Sequence, residues 1–343
     1  HSPPLMTRAF ELQPPDLSTW RQGNTGLEGV WRFESAKPGR EVLVTALVHG
    51  NELCGAWALV EALTALHKSD KGGNGDKGAK PRAGALTLAF CNLAAFDRFD
   101  ANDTDRSRFV DQDFNRLWGQ MPWKAAVEQG AAATCEQRRV LELQAIVERA
   151  DWLLDLHSMQ SDGPALGLTG LMPHHAAHAA AWGAPSILVA DAGHAAGTRM
   201  RDHGRFGQKE NTDAVALLVE CGWHGAESSR RVALDAVHRF LCASGCLHED
   251  DLPQHWRAPQ AATPPRLLQV THAVTVREGR KPSFTQTWET GQTLPQSGTL
   301  IGHNGAEEVF TPYDDCVLVM PGLIHATPGA TMVRLAKEVA TLS

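Results

Sequence analysis

From Glu41 to His49 the chain reads EVLVTALVH, a nearly unbroken apolar run with β-branched residues, and this pattern predicts a buried strand. CGAWALVEALTALH (Cys54 to His67) follows with apolar positions at helical spacing, so the first unit is strand, turn and helix. ALTLAFCNL (Ala85 to Leu93), DWLLDLHS (Asp151 to Ser158), SILVAD (Ser186 to Asp191) and AVALLVECG (Ala214 to Gly222) repeat the strand signal. TCEQRRVLELQAIVERA predicts a helix whose N-cap, Thr134, has Gln137 three residues on, the pattern of a capping box. SSRRVALDAVHRFLCASG predicts another helix, ended by Gly245. Strands alternating with helices argue for an α/β domain with a central mixed, largely parallel sheet flanked by helices.

Two segments interrupt that rhythm. HKSDKGGNGDKGAKPRAG (His67 to Gly84) is rich in Gly, Lys and Asp without periodicity and reads as a surface loop inside the domain. DDLPQHWRAPQAATPPRL (Asp250 to Leu267) concentrates Pro and Ala, and the pattern changes after it to short β-like segments, LLQVTHAVTV, FTQTWET and DCVLVM. We therefore expect an α/β domain over residues 1–260 and a small all-β domain over 261–343. The chain of 343 residues is 43% hydrophobic with a net charge of -7 and has no Lys/Arg block, which argues against a nucleic-acid partner. It has no stretch near the roughly 18 apolar residues of a membrane span, and its first residues lack the apolar core of a signal peptide. The expected location is cytoplasmic, with no membrane partner. The seven cysteines are scattered without a CxxC pair, so they read as reduced and structural. Nothing in the pattern specifies an oligomeric state, and a homo-oligomer stays open.

Ligands in open α/β sheets bind beyond the carboxyl ends of the strands. His49 ends one predicted strand, Glu52 lies around the following turn, and His157 ends another strand. Two histidines and a carboxylate suit a hydrolytic zinc site that keeps one position free for water. Spacing alone also fits polar residues that merely close strands, so both readings stand at this point. SRFVDQDFNRLW (Ser107 to Trp118) interleaves Arg108, Asp113, Asn115 and Arg116 with apolar anchors, and Glu220 closes an apolar strand, where burial would raise its pKa toward the range of a general base.

Taken in order, His49-Gly50-Asn51-Glu52, Asp113-Phe114-Asn115-Arg116, Asp155-Leu156-His157 and Glu220 resemble the succinylglutamate desuccinylase and aspartoacylase family of zinc carboxypeptidase-like amidohydrolases. The similarity spans about Val42 to Gly225 and includes CNLAAFDR, similar to a family segment that precedes the Arg-rich loop. The resemblance implies one Zn²⁺ per chain on His49, Glu52 and His157, and Asp113 as the carboxylate that orients a ligand histidine. It implies Arg108 at the developing oxyanion, Asn115 and Arg116 on a substrate carboxylate, and Glu220 as catalytic base. The implied reaction is hydrolysis of the amide of a small N-acyl amino acid. A metallocarboxypeptidase acting on a peptide end and a non-catalytic zinc-binding or ligand-sensing module are the alternatives. His224, Tyr313 and the arginines Arg199, Arg201 and Arg205 are further candidates for substrate contact. PHHAAHAAAWG, with His174, His175 and His178, reads as an Ala-rich helix carrying His in preference to a second metal site.

Overall fold

The computed structural model describes residues 8–67, 80–279, 281–324 and 326–343. Most of the loop expected between His67 and Gly84 lies outside the described residues. Among the described residues eleven strands form one sheet: β1 (Val30–Glu34), β2 (Glu41–Ala46), β3 (Ala85–Phe90), β4 (Trp152–Met159), β5 (Leu166–Leu168), β6 (Ile187–Ala190), β7 (Val215–Trp223), β8 (Arg266–Thr275), β10 (Thr293–Leu294), β13 (Cys316–Val319) and β14 (Thr331–Val339). Their order is β1-β3-β2-β4-β7-β5-β6-β8-β14-β13-β10. A separate three-stranded sheet joins β9 (Ser283–Phe284), β11 (Leu300–Asn304) and β12 (Glu307–Phe310).

The centre, β3-β2-β4-β7, is parallel throughout, and its strands are buried on both faces as such sheets require. Successive side chains alternate between faces. Val42, Val44, Leu154 and Leu217 join one core with Leu59 and Leu63 of the helix Leu53–His67 and Val237 and Phe240 of the helix Glu227–Ala243. Leu43, Leu153 and Ala216 face the other way, onto Val140, Leu143 and Val147 of the helix Cys135–Arg149. That helix starts with the expected capping box, Thr134 and Gln137 bonding reciprocally. Gly245, expected as the stop of the last long helix, takes a positive φ of 78° just beyond it.

Two boundaries differ from the expected ones. The strand beginning at Glu41 stops at Ala46, because Leu47 turns into the left-handed region at φ 59°, and the chain leaves the sheet before His49. Of FTQTWET, expected as a strand, only its first residue, Phe284, is in one, the short β9, Ser283–Phe284. Beyond residue 260, β8 pairs in parallel with β6, from Ile187↔Arg266 to Ala190↔Gln269, so the C-terminal strands extend the main sheet. β14, β13 and β10 then add on antiparallel. Among the described residues no helix is long and apolar enough to cross a membrane.

Candidate active site

The parallel centre sets the register that builds the site. Thr45 of β2 lies opposite Asp155 of β4, and His157 of β4 lies opposite Glu220 of β7. His49 and Glu52 come from the turn after β2. That turn needs Gly50: a Cβ there would stand 2.3 Å from the Ser107 carbonyl oxygen and 2.4 Å from the Phe96 nitrogen. The close approach lets the Gly50 amide donate to the Arg108 carbonyl at 3.2 Å, joining the two loops that carry the candidate residues.

His49, Glu52 and His157 are the group of three or more metal-capable side chains found among the described residues, their ligand atoms all within 4.8 Å of one another. Each imidazole turns Nδ1 toward Glu52: His157 Nδ1 lies 3.1 Å from Oε1, and His49 Nδ1 is in contact with Oε2. Each is gripped from behind at Nε2, His49 by Asp113 at 2.8 Å and His157 by Asp155 at 2.6 Å. A carboxylate on the far nitrogen fixes ring orientation and raises the basicity of the near one, the usual outer partner of a metal-binding histidine. Asp155 is itself held by the Thr45 hydroxyl, which donates to its other oxygen at 2.7 Å. This cluster can hold one metal ion.

The electrostatics follow from burial with partners. Burial lowers the His157 pKa, but Asp155 and Glu52 outweigh it and leave it well above the usual histidine range. For His49, burial and then Arg108 favour the neutral ring, while Asp113 and Glu52 prevail and raise it. Burial pushes Glu52 and Asp113 up, yet the facing histidines hold both carboxyls low. Glu220 has less compensation. Burial pushes it up to about 8, and its Oε2 is buried with no hydrogen-bond partner.

The segment from Ser107 to Trp118 is fixed by Glu136, a fully buried carboxylate in the first turn of the helix Cys135–Arg149. It accepts from the amides of Val110 (2.9 Å), Asp111 (2.8 Å) and Gln112 (3.1 Å) and from Asn92 Nδ2 (2.8 Å). Four donors on one carboxylate compensate its desolvation and pin the loop. Arg108 then lies 3.2 Å from Asp113 and 3.7 Å from Glu52. Asn115 accepts from the Met200 amide at 2.9 Å, and Arg116 Nη1 donates to the Asn115 carbonyl at 2.9 Å. Asp111, five residues before Arg116, accepts from the Cys135 amide at 2.7 Å.

One cavity of about 390 Å³ brings these residues together: His49, Glu52, Arg108, Asn115, Arg116, His157 and Glu220 all line it. Asp113 acts from behind His49. His224 lines the cavity as well, its Nδ1 2.6 Å from the Ser158 hydroxyl, and burial lowers its pKa to about 4. Of the three candidate arginines after Gly197, only Arg199 reaches the cavity. Arg201 is buried against His175 at 2.8 Å, and Arg205 bonds the Ala150 carbonyl at 2.7 Å. Tyr313 bonds Thr271 at 2.6 Å away from the cavity lining. His174, His175 and His178 sit on the helix Pro173–Trp182 and pack toward the sheet: His174 meets the Ala214 carbonyl and His178 the Trp152 ring.

Sequence reasoning named Asp155 within a motif but gave it no role, and it missed Glu136, His194 and Arg334. Asp155 carried a signal, since residues i and i+2 of a strand share a face and Asp155 precedes His157 by two. His194 and Arg334 come from a loop and from β14, and nothing in their local pattern points to the cavity.

A mixed α/β sheet with a His-Glu-His cluster at the ends of its parallel strands defines the zinc carboxypeptidase-like class of fold. The model of the succinylglutamate desuccinylase/aspartoacylase catalytic domain matches residues 38–212, just over half of the 343-residue chain, and the chain belongs to this family of deacylases. Solved structures agree in fold. Succinylglutamate desuccinylase from Vibrio parahaemolyticus superposes with a TM-score of 0.61 at 16% identity, covering 91% of this chain and 86% of that one. A succinylglutamate desuccinylase/aspartoacylase from Rhodobacter sphaeroides gives 0.58 at 18% identity over 88% and 87%. The product-bound ectoine utilization protein EutE (DoeB) from Ruegeria pomeroyi gives 0.56 at 16% over 90% and 88%. No curated protein matches the chain significantly by sequence.

Proposed function

We propose that the protein hydrolyses the amide bond of a small N-acyl amino acid with one zinc ion held by His49, Glu52 and His157. The observation that carries this reading is the convergence of two Nδ1 atoms and a carboxylate, each ring braced at Nε2, with the half-buried Glu220 across from His157. Two imidazoles and one carboxylate fit a zinc site that leaves a position for substrate or water. Bound there, zinc would polarise the amide carbonyl and acidify the attacking water.

The chain's own groups divide the remaining work. Glu220 accepts the proton of the attacking water on a carboxylate oxygen and returns it to the leaving nitrogen, burial raising its pKa from the ordinary carboxylate range toward that of a group that can do both. Arg108 faces the carbonyl oxygen as negative charge develops on it. Arg116 and Asn115 hold a carboxylate beside the amide, the planar guanidinium matching it in two bonds. Asp113 and Asp155 keep the two imidazoles in one tautomer. We assign residues 1–260 to the chemistry and 261–343 to the shape of the mouth, where Trp288, Met320, Pro321 and Arg334 line the cavity. A wall on that side favours a small acyl amino acid over a peptide end. Amine release from a panel of N-acyl amino acids, with metal analysis of the purified protein, tests the reading. Full activity in excess chelator, or release only from peptide C-termini, would sink it.

A further inference from the structure

The cavity's four guanidinium groups differ in what already neutralises them. Arg108 stands 3.2 Å from Asp113 and 3.7 Å from Glu52. Arg199 lies between Asp191 at 2.8 Å and Asp202 at 2.6 Å, and Arg334 reaches Asp191 from β14. Arg116 alone has no carboxylate partner among the described residues. The cavity thus offers one arginine without an ion pair, with Asp113 acting on it only from beyond contact distance. A second carboxylate would have to compete for an arginine already in an ion pair, weakening its hold on Asp113, the buried Asp191 or the half-buried Asp202.

The mouth has the opposite character. Trp288, Met320, Pro321 and Ile324 line it, and Glu289 adds a negative charge. Met320 is 37% and Ile324 55% exposed, two of the four large apolar side chains left so open among the described residues. Met320 holds this place at a backbone φ of 48°, with its amide donating to the Thr290 hydroxyl at 2.9 Å. A non-glycine residue in the left-handed region costs free energy and persists only where its surroundings hold it. Deeper in, Leu168 and Leu218 continue the apolar lining.

We propose that the substrate is an N-acyl amino acid with a single carboxylate, taken by Arg116, and an apolar chain that runs out along Met320 and Ile324. This deepens the deacylase reading and rests on it for the position of the amide. The apolar chain belongs either to the acyl group or to the amino acid, and one experiment separates the two. Zinc-loaded Glu220→Gln is titrated calorimetrically with N-acetylglycine, N-acetylleucine, N-hexanoylglycine, N-acetylglutamate and N-succinylglycine. N-acetylleucine or N-hexanoylglycine should bind about 10-fold tighter than N-acetylglycine, since each buried methylene contributes severalfold, and whichever does so places the chain. The two dicarboxylates should bind no tighter than N-acetylglycine. A dicarboxylate that binds more tightly than both apolar compounds, or five affinities within about threefold of one another, overturns the proposal. Ile324→Asp should remove most of the apolar preference, and a preference left intact would overturn the placement at the mouth. Amine release by the wild type reports separately on the deacylase reading: selective binding without release defeats that reading alone, and release confined to the dicarboxylates defeats this proposal alone.

Discussion

The floor and the mouth of the cavity are built on different principles. On the floor, His49, Glu52 and His157 are almost fully buried, and each is held by at least two other polar groups. At the mouth, Met320 and Ile324 are open apolar side chains on a loop beside β14. Buried charge demands complete partnership, because a charge left alone in the interior costs several kcal/mol. An open apolar rim makes no such demand. On the proposed reading the floor, which tolerates little substitution, sets the chemistry, and the mouth, free to vary, sets which molecules are admitted.

That contrast can be broken most severely at a ligand. His49→Ala removes one imidazole and leaves Asp113 to Arg108 and the Asn115 amide, so the protein should lose bound metal and essentially all activity, as elemental analysis and amine release would show. Glu220→Gln keeps the shape of the floor but removes the proposed base. Zinc should remain while kcat falls by about 10²-fold or more, and near-wild-type turnover would place the base elsewhere, His224 being the first residue to examine.

The next test lies between the regions. If Arg116 takes the substrate carboxylate, the wild type should strongly prefer an N-acyl amino acid over its methyl ester, and Arg116→Leu should erase about 10²-fold of that preference while retaining zinc. Equal hydrolysis of acid and ester by the wild type would remove the clamp from the mechanism.

The smallest effect sharpens the comparison by touching the floor without touching a ligand. Asp155→Asn keeps the size of the side chain but weakens the hold on His157 Nε2, and metal affinity should drop by about 10- to 100-fold. A competition titration against a chelator reads this directly. Unchanged affinity would mean that the floor's rigidity comes from packing and not from its outer carboxylates.

Much of the fold was legible because local rules and tertiary demands coincide there. The runs from Glu41, Ala85, Asp151 and Ala214 are apolar on both faces because parallel central strands are covered on both, and the Thr134 capping box is local chemistry complete within four residues. The reading stopped short at Leu47, where a left-handed residue ends β2 early and the apolar pattern continues regardless. It also expected β structure after Leu267 without showing where it would go, since edge pairing between β6 and β8 depends on register and not on composition.

For the site, residue type and order carried His49, Glu52, His157, Arg108, Asp113, Asn115, Arg116 and Glu220 as candidates. The amino-acid sequence by itself determined the strand-helix rhythm and the polar residues waiting at the strand ends, because both are properties of short segments. Only the tertiary structure decided that Asp155 braces His157, that Glu136 pins the Arg108 loop from a helix 26 residues beyond Val110, and that Arg199 and Arg334 spend their charge on Asp191 while Arg116 keeps its own. Those outcomes depend on which distant groups share a buried space, and the cost of burying an unpartnered charge is settled only where the chain segments meet.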